Sequence, residues 1–190
     1  MNYKNCKISI TGDLGSGKSA VSKILTAHLG FEYLSTGKIQ RAMAERLGMT
    51  TLELNRHADV NPKIDEEIDS VFINLRDDGK NYILDSRLAW HFVPNSFKIY
   101  LQVAPEIAAE RIFKDDSRNS EQYESQKEAI LKILARKQSE NERFLETYNA
   151  DCANMDNFDL IIDTADKTPQ EVADLIVEKL NHFILQKQMA

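Results

Sequence analysis

The chain has 190 residues, of which 42% are hydrophobic, enough for one domain with a sizeable core and too many for a disordered chain. The net charge of −6 makes it a poor general binder of nucleic acid, so any phosphate site must be built locally. Cys6 and Cys152 provide neither a disulfide framework nor a CxxC metal site. Because the sequence shows no signal-peptide core and no apolar run of about 20 residues, we expect a cytoplasmic protein without a membrane partner.

The first half of the chain alternates β-branched and amphipathic segments. Residues 7–11 predict a strand, and residues 18–29 repeat apolar side chains at helical spacing until Gly30, a typical C-cap. The same criteria predict strands at 31–34 and 82–85, helices at 39–47, from Thr50 and from Pro62, and a turn at 77–80. Each predicted strand is thus followed by helix, which is the pattern of an α/β protein.

The second half continues this alternation around one polar interruption. It predicts strands at 97–103 and 160–163 and helices from Pro105, over 121–148 and from Thr168, with a polar break at 114–120. These elements favour a mostly parallel sheet. The helix-rich stretches 36–76 and 113–148 interrupt the strand rhythm and are expected to be excursions from a single core.

Residues 12–19 match the phosphate-loop pattern G-x-x-x-x-G-K-[ST], with a predicted strand before it and a helix after it. Glycines allow backbone N–H groups to turn toward an anion, and the helix N-terminus adds partial positive charge. Lys18 can reach the β- and γ-phosphates, and the Ser19 hydroxyl can ligate Mg²⁺. We assign nucleotide binding to Gly12, Asp13, Leu14, Gly15, Ser16, Gly17, Lys18, Ser19 and Ala20. The carboxylate of Asp13 is unfavourable beside phosphates unless it points away.

A second anion site is indicated after two other strands. Ser35, Thr36 and Gly37 open a helix that carries Arg41, and Arg87 follows the strand that ends at Asp85. Carboxyl ends of parallel strands line one crevice, so the two arginines can converge on a second phosphate. The alternatives are a solvated helix arginine and a surface-loop arginine. Asp85 suits a water-mediated Mg²⁺ contact, and otherwise a strand-end turn.

The long helix predicted near the carboxyl terminus carries two arginines and a glutamate on one face. Arg136, Glu140 and Arg143 follow the spacing i, i+4, i+7, and the arginines are about 10.5 Å apart along the axis. This distance could bridge a donor and an acceptor phosphate. The alternative is an ordinary surface ladder of ion pairs.

Together, GDLGSGKS, STGKIQR, LDSRLAW, the polar break and the two arginines of the long helix resemble the nucleoside monophosphate kinases, most closely archaeal-type cytidylate kinases. The resemblance implies a three-layer P-loop NTPase fold with a five-stranded parallel sheet. It also implies a monomer that transfers the γ-phosphoryl group of ATP to CMP or dCMP with Mg²⁺. The core would comprise residues 1–35, 77–112 and 149–190, the acceptor-binding segment 36–76, and the lid with its helix 113–148.

The resemblance also implies roles for individual residues. Arg41 and Arg87 would hold the acceptor phosphate, and Arg136 and Arg143 would close over the phosphates. Arg111 would contact the donor nucleotide. The remaining substrate contacts would come from Ser35, Thr36, Gly37, Asp65, Asp85 and Glu140. Lys18, Arg87, Arg136 and Arg143 would form the catalytic set.

The chain departs from the family pattern at Lys114, at Leu88 and at Trp90-His91, where Gly-Trp is expected. Lys114 stands where related kinases often carry a lid arginine, a role that Arg118 could assume. Leu88 stands where the larger bacterial enzymes carry an acceptor-contacting Asp. Two alternatives therefore remain: a kinase for AMP, UMP or a non-nucleotide acceptor, and an ATP-binding regulatory protein without transferase activity.

Overall fold

The computed structural model describes residues 3–50, 53–54, 57, 61–114 and 125–189. Within these residues a five-stranded sheet has the order β2-β3-β1-β4-β5, and all of its neighbouring strands are parallel. Ile8 lies opposite Ile83 on one side and Phe97 on the other. The strands are β1 (Lys7–Gly12), β2 (Glu32–Ser35), β3 (Tyr82–Asp85), β4 (Phe97–Gln102) and β5 (Leu160–Asp163).

Helices connect the strands on both faces of the sheet. Two short helical elements, the helix at 89–92 and a 3-10 turn at Met155–Asn157, were not predicted from the sequence. The described helices are α1 (Lys18–Leu29), α2 (Thr36–Arg46), α3 (Pro62–Asn74), α4 (Ala89–Phe92), α5 (Pro105–Phe113), α6 (Gln126–Tyr148) and α7 (Pro169–Met189). In the part of the chain that is described, none of these helices is both long and apolar enough to cross a membrane.

The core has one apolar layer on each face of the sheet. On one face Ile8 and Ile10 pack with Leu25 of α1 and Ile176 of α7, all fully buried. On the other face Leu84 belongs to a cluster that includes side chains of α2, α3 and α4. The result is the predicted three-layer α/β architecture, in which the carboxyl ends of the strands open toward one edge.

Most predicted boundaries agree with the structure to within a few residues. The strands 82–85 and 160–163 are confirmed as predicted. Helix α2 begins three residues before the predicted 39, because the Ser35 side chain caps it by accepting a hydrogen bond from the Lys38 N–H. At Thr50 and Glu53 the predicted capping box forms, with Oγ1 of Thr50 accepting from Glu53 N–H at 3.2 Å.

The predicted lid falls largely on residues outside the described part of the chain. Residues 115–124, which include Arg118, lie outside the described residues, and so does the start of the helix predicted from 121. The described part of that helix starts at Gln126, and the Ser125 side chain accepts from Glu128 N–H as its cap. The division into core, acceptor-binding segment and lid stays a prediction.

Candidate active site

The phosphate loop joins β1 to α1 in the predicted strand–loop–helix arrangement. Gly15 has φ +77°, and a Cβ there would lie 2.9 Å from Ala108 Cα, so this position favours glycine on two grounds. Gly17 caps α1 in the left-handed conformation, with φ +86° and open space where a Cβ would stand. The loop is thus a backbone cradle at a helix N-terminus, which suits phosphate oxygens.

Lys18 lies against this cradle. Its Nζ donates hydrogen bonds to the carbonyl oxygens of Gly12 (2.9 Å) and Asp13 (2.6 Å). Burial lowers the pKa of Lys18 to about 8, and the guanidinium of Arg87 contributes to the same shift, against the opposing carboxylates of Asp85, Asp13 and Glu140. Its electrostatic environment therefore includes a residue from the predicted second anion site.

Ser19 and Asp85, which were predicted to be metal ligands, are in direct contact. Ser19 Oγ donates to Asp85 Oδ2 at 3.0 Å, and the Tyr33 hydroxyl donates to the same oxygen at 3.0 Å. A hydroxyl and a carboxylate are hard oxygen donors of the kind that Mg²⁺ prefers beside substrate phosphates. The residues present therefore fit a magnesium ion bound together with a nucleotide, and Tyr33 is an orienting partner that the sequence did not indicate.

A cavity of about 690 Å³ opens in front of the phosphate loop. Its walls include loop residues, Ala20, Lys167 and Arg111. Arg111 donates to the Gly15 carbonyl at 3.3 Å and to the carbonyl of Thr164 at 2.6 Å. The predicted nucleotide-contacting arginine therefore lines this cavity and also ties the loop to the segment that follows β5.

A second cavity, of about 430 Å³, lies beyond the end of β3. Arg87 and Glu140 form an ion pair of 2.6 Å across it, and Arg136 contacts the other carboxylate oxygen of Glu140 at 2.9 Å. The side chain of Glu140 is 17% exposed and lies between the two guanidinium groups. The cavity is lined by Thr36, Gln40, Asp65, Ile68, Asp69, Phe72, Ser86, Arg87, Leu88, Arg136, Glu140, Arg143, Phe144, Thr147 and Tyr148.

Part of this second cavity is acidic. Asp65 and Asp69 both line it, and Asp69 is hydrogen-bonded to Tyr148. Burial raises the pKa of Asp69 against the opposing hydrogen bond from Tyr148, and the charges of Asp65 and Glu66 contribute to the rise. Burial, together with Asp69, also raises the pKa of Tyr148. This arrangement offers hydrogen-bond acceptors opposite the cationic residues of the same cavity.

The end of β3 connects the two cavities. Asp85 contacts Ser19 at the first cavity, and Arg87, two residues later, lines the second. Parallel pairing of β3 with β1 brings this strand end beside the phosphate loop. The donor and acceptor phosphate sites predicted from separate motifs are therefore neighbours in the fold.

Some predicted residues lie outside these contacts. Arg41 is exposed and is not among the residues that line the second cavity. Its Nη1 lies 3.3 Å from the place that a Cβ added at Gly37 would occupy. Ser35 is used as the cap of α2. Lys114, the substitute considered for a lid arginine, is exposed and pairs with Glu110 at 2.5 Å.

The carboxylate of Asp13 points away from the phosphate loop, so its negative charge does not oppose phosphate binding there. Its carboxylate accepts from the Tyr100 hydroxyl at 2.8 Å and from Val103 N–H at 3.0 Å, and it pairs with Lys137 at 2.6 Å. Burial and the nearby carboxylate raise the pKa of Tyr100. Lys137 is 124 residues from Asp13, and no motif pointed to this contact.

Fold and site together define a P-loop NTPase: a parallel sheet with a phosphate loop between its central strand and the first helix. A family model described as an AAA domain matches residues 8–132. Cytidylate kinases from Sulfurisphaera tokodaii and Sulfolobus acidocaldarius are 36% and 38% identical, covering 96% and 90% of this chain and 98% and 92% of their own lengths. The chain belongs to the nucleoside monophosphate kinase family and resembles its cytidylate kinases, and this kinship supports a phosphotransferase enzyme.

Two further proteins are similar to this chain over most of its length. An S-adenosylmethionine-dependent nucleotide dehydratase from Lacinutrix mariniflava is 38% identical over 90% of this chain, which spans only 35% of that protein. A shikimate kinase from Bacteroides thetaiotaomicron has a TM-score of 0.62 at 13% identity and covers 96% of this chain, with 99% of its own chain matched. The latter likeness concerns the fold alone.

Proposed function

We propose that this protein transfers the γ-phosphoryl group of ATP to a pyrimidine nucleoside monophosphate, CMP or dCMP. The observation that carries this proposal is the position of Asp85 and Arg87 at the end of β3, one at each of two adjacent cavities. A phosphate-loop cavity next to a second cationic cavity is what a reaction between two phosphate-bearing substrates requires. The similarity to cytidylate kinases supports the same acceptor class.

The first cavity supplies the donor site. Loop amides and Lys18 bind the β- and γ-phosphates, and Arg111 contacts the donor nucleotide at the cavity wall. Ser19 and Asp85 would hold Mg²⁺, which, when bound, neutralises developing charge on the phosphates. Phosphoryl transfer has a loose transition state, so these residues act by positioning and by cationic stabilisation.

The second cavity supplies the acceptor site. Without a ligand, Arg87 and Arg136 share the carboxylate of Glu140. An acceptor phosphate carries more charge than one carboxylate, and it takes Arg87 from Glu140 when it binds. Arg136 and Arg143 then face the transferring group from α6, and Arg41 can approach by a side-chain rotation from its exposed position.

The acidic part of the second cavity favours cytosine over uracil. A carboxylate accepts a hydrogen bond from the exocyclic amino group of cytosine, whereas uracil presents a carbonyl oxygen at that place. Asp65 and Asp69 provide such carboxylates among the lining residues. Leu88, which replaces the Asp of larger bacterial enzymes, is buried and contributes an apolar wall.

Two alternatives remain in competition with this proposal. One is a kinase for AMP, UMP or a non-nucleotide acceptor, favoured by the apolar Leu88 and by a fold that is shared with shikimate kinases. The other is an ATP-binding regulatory protein without transferase activity. The cationic groups that line the second cavity favour a transferase over a regulatory protein, because a protein that binds only ATP does not require them.

Release of ADP from ATP and Mg²⁺, measured with CMP, dCMP, UMP, AMP, GMP and shikimate beside an acceptor-free control, tests the proposal. We expect turnover with CMP or dCMP above all other acceptors. Lys18→Ala should abolish it, whereas Lys80→Ala, which changes an exposed lysine paired with Glu32, should not. ATP binding without acceptor-stimulated ADP release would contradict the proposed transferase.

A further inference from the structure

Helix α6 carries three proposed site residues on a segment that buries no side chain in the apolar core. Residues 134–143, all of them within the described part of the chain, include no buried side chain. Buried Ile133 precedes the segment, and buried Phe144 follows it. The position of Arg136 and Glu140 at the second cavity therefore depends on polar contacts made between these two buried residues.

Among the described residues, two ion pairs connect this segment to the strands and the phosphate loop. Glu140 pairs with Arg87 at 2.6 Å, and Lys137 pairs with Asp13 at 2.6 Å. In the proposed reaction the first pair has to open, because Arg87 turns to the acceptor phosphate. The second pair involves no group that binds substrate through its side chain, so it can persist throughout the cycle.

Asp13 is itself held rigidly on the body of the domain. Its backbone N–H donates to Leu101 O at 2.9 Å, and its carboxylate accepts from Tyr100 and from Val103 N–H. The Lys137 ammonium lies 5.9 Å from the Tyr100 ring centroid, within the range of a cation–π contact. The carboxylate is 12% exposed, so water screens the ion pair with Lys137 less than it screens an ordinary surface pair.

We propose that Asp13 and Lys137 are a positioning pair that holds α6 residues 134–143 against the phosphate loop, so that Arg136 stays aligned for the proposed phosphoryl transfer. Lys137 is adjacent to Arg136 in the chain, and Asp13 belongs to the phosphate loop itself. The pair thereby links the donor site directly to the helix that faces the transferring group. This inference rests on the proposed function for its catalytic consequence, but its structural part stands independently.

Amide hydrogen exchange tests the structural part without any substrate. Lys137→Met keeps the aliphatic chain and removes the charge, and it should accelerate exchange in residues 134–143 about tenfold while leaving β1 unchanged. Lys137→Arg should restore protection. Lys132→Met, on the same helix and paired with Glu128 at 2.6 Å, is the matched control and should change nothing near residues 134–143. Unchanged exchange in Lys137→Met would overturn the proposal.

Steady-state kinetics test the catalytic part. With the acceptor that the wild type uses best, Lys137→Met should lower kcat about tenfold and change the KM for ATP less than threefold, with Lys137→Arg recovering most of kcat. Asp13→Asn should give a similar loss, and the double variant should lose no more than the worse single variant, since both act through one contact. Multiplicative losses, or a loss confined to the KM for ATP, would refute the pairing. Absence of transfer in the wild type would refute the proposed function instead, and the exchange experiment would still decide on the pair.

Discussion

Replacement of Arg87 by alanine separates the acceptor site from the donor site. Arg87 lines the second cavity and is 23% exposed, with Nη1 2.6 Å from Glu140 Oε2. In the proposed function the donor phosphates bind to the loop and Lys18, on the other side of the β3 end. If the assignment is correct, Arg87→Ala therefore weakens acceptor binding and leaves ATP binding nearly intact.

The magnitude follows from the contact that is lost. A hydrogen bond to a charged group contributes about 1.5–3 kcal/mol. At 1.4 kcal/mol per tenfold change, the KM for the acceptor should rise about 10- to 150-fold. In the wild type, opening of the Arg87–Glu140 ion pair offsets part of the free energy that Arg87 contributes to acceptor binding. In the variant, however, Glu140 faces the acceptor phosphate with one compensating cation fewer, so a rise of at least tenfold is expected.

The assay measures both substrates in the same variant. The KM for CMP is determined at saturating ATP, the KM for ATP at saturating CMP, and ATP affinity is measured by calorimetry. Arg46→Ala is the matched control, because Arg46 is an exposed arginine that pairs with Glu67 at 2.5 Å and lines neither cavity. It should leave all three quantities unchanged.

An equal loss of affinity for both substrates would be incompatible with a separate acceptor site at Arg87. If Arg87→Ala weakened ATP as much as the acceptor, Arg87 would belong to the donor site, and the second cavity would lose its assigned role. The same conclusion would follow if only the ATP affinity fell.

Two further predictions concern the loop and the thiols. Gly15→Ala should lower the free energy of unfolding by about 1–3 kcal/mol, because the new Cβ would lie 2.9 Å from Ala108 Cα and the positive φ is strained for alanine. Urea unfolding measures the change. Gly79→Ala, with φ +80° and open space around the Cβ, measures the backbone strain alone, so equal losses in the two variants would contradict the contact with Ala108. Burial raises the pKa of Cys152 to about 11, so that at pH 8 only about one molecule in a thousand carries its thiolate. An alkylating reagent should therefore modify Cys6 first and Cys152 only in urea, as followed by intact-mass analysis. Early labelling of Cys152 would be inconsistent with its buried environment.

The architecture could be predicted from the sequence because its signals are local. Alternating apolar segments, Gly30 as a C-cap and the spacing of the loop glycines each depend on a few neighbouring residues. The apolar spacing alone starts α2 at residue 39, three residues late, because the first turn after the Ser35 cap carries no apolar side chain. The short helix 89–92 is only four residues long, too short to show a helical period.

The candidate site could be predicted only where motifs carry their own geometry. Ser19 and Asp85 are in contact, because the loop and a strand end share one edge of a parallel sheet. The Asp13–Lys137 contact spans 124 residues, and no local pattern predicts such a pairing. Tyr33 and Tyr100 lie in strands, and only the fold reveals that their hydroxyl groups donate hydrogen bonds to carboxylates at the site.

In the proposed reaction, an acceptor in the second cavity receives the phosphoryl group that leaves the first. Incubation of the protein with ATP labelled at the γ-phosphate, Mg²⁺ and CMP, followed by separation of the nucleotides, follows that transfer itself. We expect label to appear in CDP in step with ADP formation, and Arg87→Ala to slow this transfer at a CMP concentration below the wild-type KM. Label that appears only as inorganic phosphate, at a rate that CMP does not change, would contradict it.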